Sequence, residues 1–131
     1  MIVIDNSALV EMLVVAGPVG SAVAARVSKA EVLCAPYLLD TEIMSALLGL
    51  ARGGKITSDQ ADTAMAAYDR LPIDRYGTLP LWPRVKVLRA NLSAYDATYV
   101  ALAEALGAPL VTSDARIARS GAARCPVEVF D

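Results

Sequence analysis

The chain has 131 residues, 56% of them hydrophobic and 20% charged, with a formal net charge of −2. That length suits one domain with a real core, the composition argues against disorder, and the acidic balance excludes an overall basic footprint for nucleic acid. Histidine is absent, which removes Ser-His-Asp and Cys-His catalysis, an imidazole base and histidine-bound zinc, and leaves carboxylates, Lys, Tyr or an oxygen-held metal for chemistry at neutral pH.

Ile2 to Ile4 is an apolar run, as in a strand buried on both faces, and it ends on Asp5. Asp5, Asn6 and Ser7 are all residue types that start helices. Ala8 to Val15 is predicted as a short helix stopped by Gly17-Pro18, and Val19 to Ser28 as a second. The stretch from Ala8 to Ala25 is broken by Glu11 and by Gly17-Pro18-Val19-Gly20, so it falls short of the ~18 apolar residues of a membrane span. No basic segment precedes an apolar one at the amino terminus, so no secretory signal is visible. The expected location is cytoplasmic, with no membrane insertion.

Val32 to Ala35 is the second strand, ended by Pro36. Tyr37 to Arg52 is a nearly apolar helix interrupted by Asp40, Thr41 and Glu42 and closed by Gly53-Gly54. Thr57 and Gln60 have capping-box spacing, and Ser58 to Arg70 makes the antiparallel partner helix, with Ala61, Ala64, Met65 and Tyr68 on one stripe. Leu71 to Asp74 is a third strand that Pro72 confines to a sheet edge. Tyr76 to Leu81 is a loop, and Pro83 opens a helix to about Ala90 whose Arg84, Lys86 and Arg89 make it the most basic element. Ser93 to Leu106 is a helix with Tyr95, Tyr99, Leu102 and Leu106 along one side and Gly107 as its stop. Pro109 to Thr112 is the fourth strand, Ser113-Asp114 caps a short helix to Ser120, and Val127 to Phe130 closes the chain as a fifth.

Strands alternating with helices imply an α/β fold of three layers, α/β/α, around a largely parallel sheet of four to five strands. With the first strand central, the second and third on one side and the fourth and fifth on the other, Asp5 and Asp114 face one crevice where the winding reverses. The same order keeps Cys34 and Cys125 too far apart to bridge, leaving two small thiols that behave as hydrophobes.

Each acid in this set also has a plain structural role. Asp5 and Asp114 are placed to cap the helices that follow them, Glu42 to favour a helix dipole, and Asp96, three residues after Ser93, to complete a capping box. Glu42 has Leu38, Leu39, Ser45 and Ala46 as helical neighbours, a face expected to be buried. Gathering four carboxylates is unfavourable unless protons or cations neutralise them. A hard divalent ion, Mg²⁺ or Mn²⁺, suits an all-oxygen site that meets substrate phosphates.

The ordered set Ile2-Val-Ile-Asp5-Asn-Ser7, Leu39-Asp-Thr-Glu42, Leu92-Ser-Ala-Tyr-Asp96-Ala-Thr-Tyr-Val-Ala-Leu-Ala-Glu104 and Leu110-Val-Thr-Ser-Asp114 resembles the PIN-domain nucleases, specifically the VapC toxins of toxin–antitoxin pairs. The likeness spans essentially the whole chain as a single PIN-like domain, 1–131. It implies a homodimer, a Mg²⁺- or Mn²⁺-dependent endoribonuclease activity on RNA, and a VapB-type antitoxin that suppresses it. It also implies that Asp5, Glu42, Asp96 and Asp114 are catalytic and bind the metal, that Ser7 and Thr112 support the site, and that Asn6 lines it. Some branches carry an acid two residues beyond the last Asp; here that position is Arg116, which puts a full second metal site in doubt and offers an RNA contact, as do Arg84 and Arg89.

The reading is therefore hydrolysis of RNA phosphodiester bonds by water that the ion activates, with Glu42 as ligand or water-orienting base, leaving 5′-phosphate and 3′-hydroxyl ends. The alternative from another class is a non-catalytic dimerisation and partner-binding domain of the same fold, its acids acting mainly as caps.

Overall fold

A computed structural model describes residues 1–131. Five parallel strands form its sheet: β1 Ile2–Ile4, β2 Leu33–Pro36, β3 Ile73–Tyr76, β4 Leu110–Thr112 and β5 Val127–Val129. Their order is β3-β2-β1-β4-β5, so β1 is central and the winding reverses between β1 and β4, as the alternation of elements implies. Ile2, Val3 and Ile4 are all fully buried, which is why the run shows no alternation of polar and apolar residues. Val3 pairs with both Cys34 and Leu110, and Ile4 with Val111. Cys34 and Cys125 are both free thiols.

The helices are α1 Asn6–Val10, continued by a π-helical turn Glu11–Val15, then α2 Pro18–Lys29, α3 Leu38–Arg52, α4 Ser58–Asp69, α5 Trp82–Leu88 after a 3₁₀ turn Leu79–Leu81, α6 Ala94–Leu106 and α7 Ala115–Arg119. None is long and apolar enough to cross a membrane. The capping box forms as read: Gln60 N–H donates to Thr57 Oγ1 at 3.0 Å and Thr57 N–H to Gln60 Oε1 at 2.8 Å. Gly107 ends α6 with φ +64, a left-handed turn that glycine adopts without strain.

The third strand and the first turn of α6 depart from the sequence reading. The third strand begins after Pro72 and extends to Tyr76, because the proline has no N–H to give the ladder and the pairing to β2 starts at Ile73. Gly20 lies inside α2, in the second helix as read, and a Cβ there would stand 2.2 Å from the Glu11 carbonyl oxygen. Tyr95 does not join the buried stripe of α6: it is 60% exposed while Tyr99 and Leu102 are buried, because residues 97 to 103 alone are sunk between the sheet and α5 and the first turn emerges beyond the strand ends.

Candidate active site

Three buried strands deliver the site. Asp5 follows β1 directly, Asp114 follows β4 after one residue, and Glu42 sits in the second turn of α3, which leaves β2. Helix α6 leads into β4, so its first turn, with Asp96, lies at the end where the strands finish. Charges link all four: Asp5 is felt by Glu42, Asp96 by both Asp5 and Glu42, and Asp114 by Asp96.

The caps weighed for Asp5 and Asp114 form, whereas Asp96 does not return a side-chain bond to the Ser93 N–H and so leaves its capping box half made. Asp5 caps α1 by accepting from Ala8 N–H at 3.0 Å, and Asp114 caps α7 by accepting from Arg116 N–H at 3.0 Å. Ser93 caps α6, accepting from Asp96 N–H at 3.1 Å. A cap consumes one lone-pair direction of a carboxylate that has about four, so capping and chemistry coexist in one residue.

Asp5 is buried and accepts two further hydrogen bonds, from the Ser7 hydroxyl at 2.7 Å and from the Thr112 hydroxyl. Those hydroxyls in turn accept from the backbone of the loop after β4: Ser113 N–H donates to Ser7 Oγ at 2.9 Å and Asp114 N–H to Thr112 Oγ1 at 3.0 Å. Ser7 and Thr112 thereby tie the ends of β1 and β4 together and orient Asp5. Burial still outweighs these bonds and raises the Asp5 pKa above its ordinary value.

Glu42 is half-buried, and its helix face is more open than expected: Ser45 is exposed and Leu38 and Ala46 are only partly covered. The Tyr99 hydroxyl donates to Glu42 Oε1 at 2.6 Å. Burial raises the Glu42 pKa, the Tyr99 bond opposes it, and the charges of Asp5 and Asp96 add to the rise. Asp96 is raised by burial and by Asp114, against hydrogen bonding from Ser93. Tyr99 is the functional neighbour that sequence reasoning passed over. The signal was present: a tyrosine one turn after Asp96, on a face too buried for its hydroxyl to lack a partner.

Asp114 behaves differently. Arg116 forks it, Nε to Oδ1 at 3.0 Å and Nη2 to Oδ2 at 2.7 Å, and this pair holds the Asp114 pKa below the usual carboxylate range despite partial burial. Arg84 is paired with another acid, Glu104. Its guanidinium forks Glu104 on α6 at 2.6 and 3.2 Å and also donates to the Ala122 carbonyl, so it braces α5 against α6. Arg89, at the end of α5, is exposed. Asp40, one turn from the strand ends on α3, is held apart by Arg75 at 2.9 Å and by the Tyr68 hydroxyl.

With these side-chain directions no three carboxylates converge to hold one ion. The donors are nonetheless chemically those of a hard cation, and two buried oxygens at the same crevice, Asn6 Oδ1 and Ser113 Oγ, have no hydrogen-bond partner. Three carboxylates with raised pKa values, carried by elements that meet at one switch point, form a set that a divalent ion would neutralise.

The PIN domain profile matches residues 2–122. The chain belongs to the PIN domain family. It is 43% identical over 129 residues to the VapC ribonuclease Mb0985 of Mycobacterium bovis, with 98% of each chain covered. It is 35% identical over 129 residues to Ribonuclease VapC12 of Mycobacterium tuberculosis, again with 98% of each covered. Within the PIN domains its relatives are thus VapC ribonucleases, which supports a nuclease. The fold recurs in the VapBC2 structure from Rickettsia felis bound to a promoter DNA fragment, with a TM-score of 0.72 and 13% identity over the full length of both chains. It recurs also in Mycobacterium tuberculosis VapC20, described as a sarcin-ricin loop cleaving toxin, with a TM-score of 0.70 and 16% identity over 92% of this chain and 95% of that one. In this PIN domain, then, the switch-point crevice is the place to look for chemistry.

Proposed function

We propose that this PIN domain is a divalent-metal-dependent endoribonuclease, the toxin of a VapBC-type pair, working in the cytoplasm as a homodimer and restrained by a VapB-type antitoxin. The observation that carries the reading is the set of four charge-linked carboxylates at the sheet's switch point in a chain without histidine. The names of the relatives support the ribonuclease and its substrate class, and the VapBC2 structure and that of FitAcB from Neisseria gonorrhoeae support a paired partner. Exposed Leu79, Trp82 and Val87 around α5 support an association surface.

Asp5, Asp96 and Asp114 would hold Mg²⁺ or Mn²⁺, with Glu42 as a further ligand or as the base that orients water. When bound, the ion neutralises the gathered charge, polarises the phosphoryl group and lowers the pKa of water. Asp5 is held in place by Ser7, Thr112 and the cap of α1. Glu42, fixed at Oε1 by Tyr99, keeps Oε2 for a proton of the attacking water. Arg116, with its side chain 78% exposed, is free to leave Asp114 for a phosphate. Attack in line on the phosphodiester would leave 5′-phosphate and 3′-hydroxyl ends.

The test is cleavage of total cellular RNA by purified protein with Mg²⁺ or Mn²⁺, with ends mapped by sequencing. Excess chelator and Asp5→Asn should each lower the rate by at least about 100-fold, in line with losing the charge stabilisation at the reacting phosphate. Undiminished cleavage in chelator, or by an Asp5→Asn protein of normal fold, would sink the metal mechanism.

A further inference from the structure

Beside the acids lies a cleft of about 430 Å³ lined by Asn6, Leu38, Thr41, Glu42, Ser45 and Tyr95. It shares Glu42 with the candidate active site, and Asn6 and Tyr95 each adjoin a catalytic acid in sequence. Three features mark it. Tyr95 turns its ring away from the core and stands 60% exposed at the cleft, the one aromatic in the lining. Asn6 Oδ1 is buried yet receives no hydrogen bond. Thr41 and Ser45 are one helical turn apart on α3 and both exposed, so their hydroxyls face the same space.

No cationic side chain lines this cleft and Glu42 does, so it does not suit a phosphate. It suits a flat, neutral group with polar atoms on its edge: the Tyr95 face for stacking, and the exposed Thr41 and Ser45 hydroxyls, which both donate and accept. Single-stranded RNA presents that group, an unstacked base that pairs with aromatic faces and amide edges. Resting on the ribonuclease reading, we propose that this cleft binds one unpaired nucleobase of the RNA next to the scissile phosphate. Tyr95 is its stacking platform and the Thr41 and Ser45 hydroxyls meet its edge.

Trp82 is the chain's single tryptophan, so Tyr95→Trp placed in a Trp82→Phe background gives a lone reporter in the cleft. Titrated with single-stranded octaribonucleotides, with Ca²⁺ in place of Mg²⁺ to slow cleavage, its fluorescence should be quenched saturably. An octamer with an abasic nucleotide beside the cleavage position should quench far less. In cleavage assays Tyr95→Ala should raise KM about 5- to 100-fold, the range for losing one base–aromatic stack. It should leave Mn²⁺ affinity by calorimetry near the parent's, and Tyr95→Phe should restore KM. The inference is overturned by an unquenched reporter, by quenching that ignores the abasic site, or by a Tyr95→Ala protein that cleaves with parental KM or loses Mn²⁺ binding in step with activity. A parent protein that cuts no RNA would defeat the ribonuclease reading instead, and the titration decides the subsite separately.

Discussion

Tyr99 is the residue whose effect is least replaceable by packing alone. Its phenol is pushed further up by burial and by Glu42, so it remains a hydrogen-bond donor at every working pH. Tyr99→Phe keeps the ring that fills the space under α6 and deletes only the proton offered to Glu42 Oε1. Burial and the charges of Asp5 and Asp96 then act on Glu42 unopposed, and its pKa climbs. The acid limb of the kcat/KM profile should move up by about one pH unit, the worth of one charge-assisted bond. The midpoint of thermal unfolding should change little. A profile that drops uniformly without moving would assign Tyr99 to packing and not to Glu42. Arg116 marks the other pole of the site, since its fork on Asp114 is what separates the one carboxylate with a lowered pKa from the three with raised ones.

At the level of elements, the approach of α2 to the π-helical turn depends on a missing side chain. A Cβ at Gly20 would meet the Glu11 carbonyl oxygen at 2.2 Å and its carbon at 2.9 Å, both backbone atoms that cannot swing aside. Gly20→Ala should therefore cost about 1–3 kcal/mol by overpacking, read as a lower urea midpoint with unchanged slope. Gly17→Ala, with open space around its Cβ position, is the control, and equal losses for the two would defeat the argument. Elements were legible where a local rule sets them. The Ile2–Ile4 run, the Thr57–Gln60 box and the Asp-capped helices α1 and α7 all follow from short-range chemistry. Asp5 and Asp114 were readable as a pair because both follow apolar strands and the alternation of elements sets the winding. Which groups partner them was not, since Tyr99 with Glu42 and Arg84 with Glu104 are separated by 57 and 20 positions and depend on how α6 lies on the sheet and on α5. Tyr95 shows the same limit: 3.6-residue periodicity gives its stripe, but not the point where the helix outruns the sheet.

Across the whole molecule the acids set a pH dependence whose sign reverses with metal. Asp5 and Asp96 have pKa values raised from 3.8, and Glu42 from 4.5. The folded state holds these protons more tightly than the unfolded chain, so their contribution to stability is fully present below the ordinary values and is lost as pH rises through the elevated ones. Glu104 and Asp114 run the other way. Burial raises Glu104, but Arg84 and the Arg124 N–H outweigh it and leave it lowered from 4.5, while Arg116 lowers Asp114 from 3.8. Their contributions are present above those values and vanish as pH falls through the depressed ones. Above the ordinary carboxylate values only the raised groups still titrate, so in chelator the unfolding temperature should fall as pH rises through their elevated values. A divalent ion binds the ionised carboxylates and must displace those same protons. Its stabilisation, about 2.7 kcal/mol at a hundredfold excess over the dissociation constant, should therefore grow over the same interval. Scanning calorimetry across pH 5 to 8, with chelator and with Mg²⁺, should give two curves that diverge upward in pH. Asp5→Asn, which removes a buried carboxyl but keeps an oxygen for the Ala8 N–H, should flatten the chelator curve and shrink the Mg²⁺ increment together. Parallel curves, or a Mg²⁺ increment as large in Asp5→Asn as in the parent, would mean that the ion does not bind through the switch-point acids.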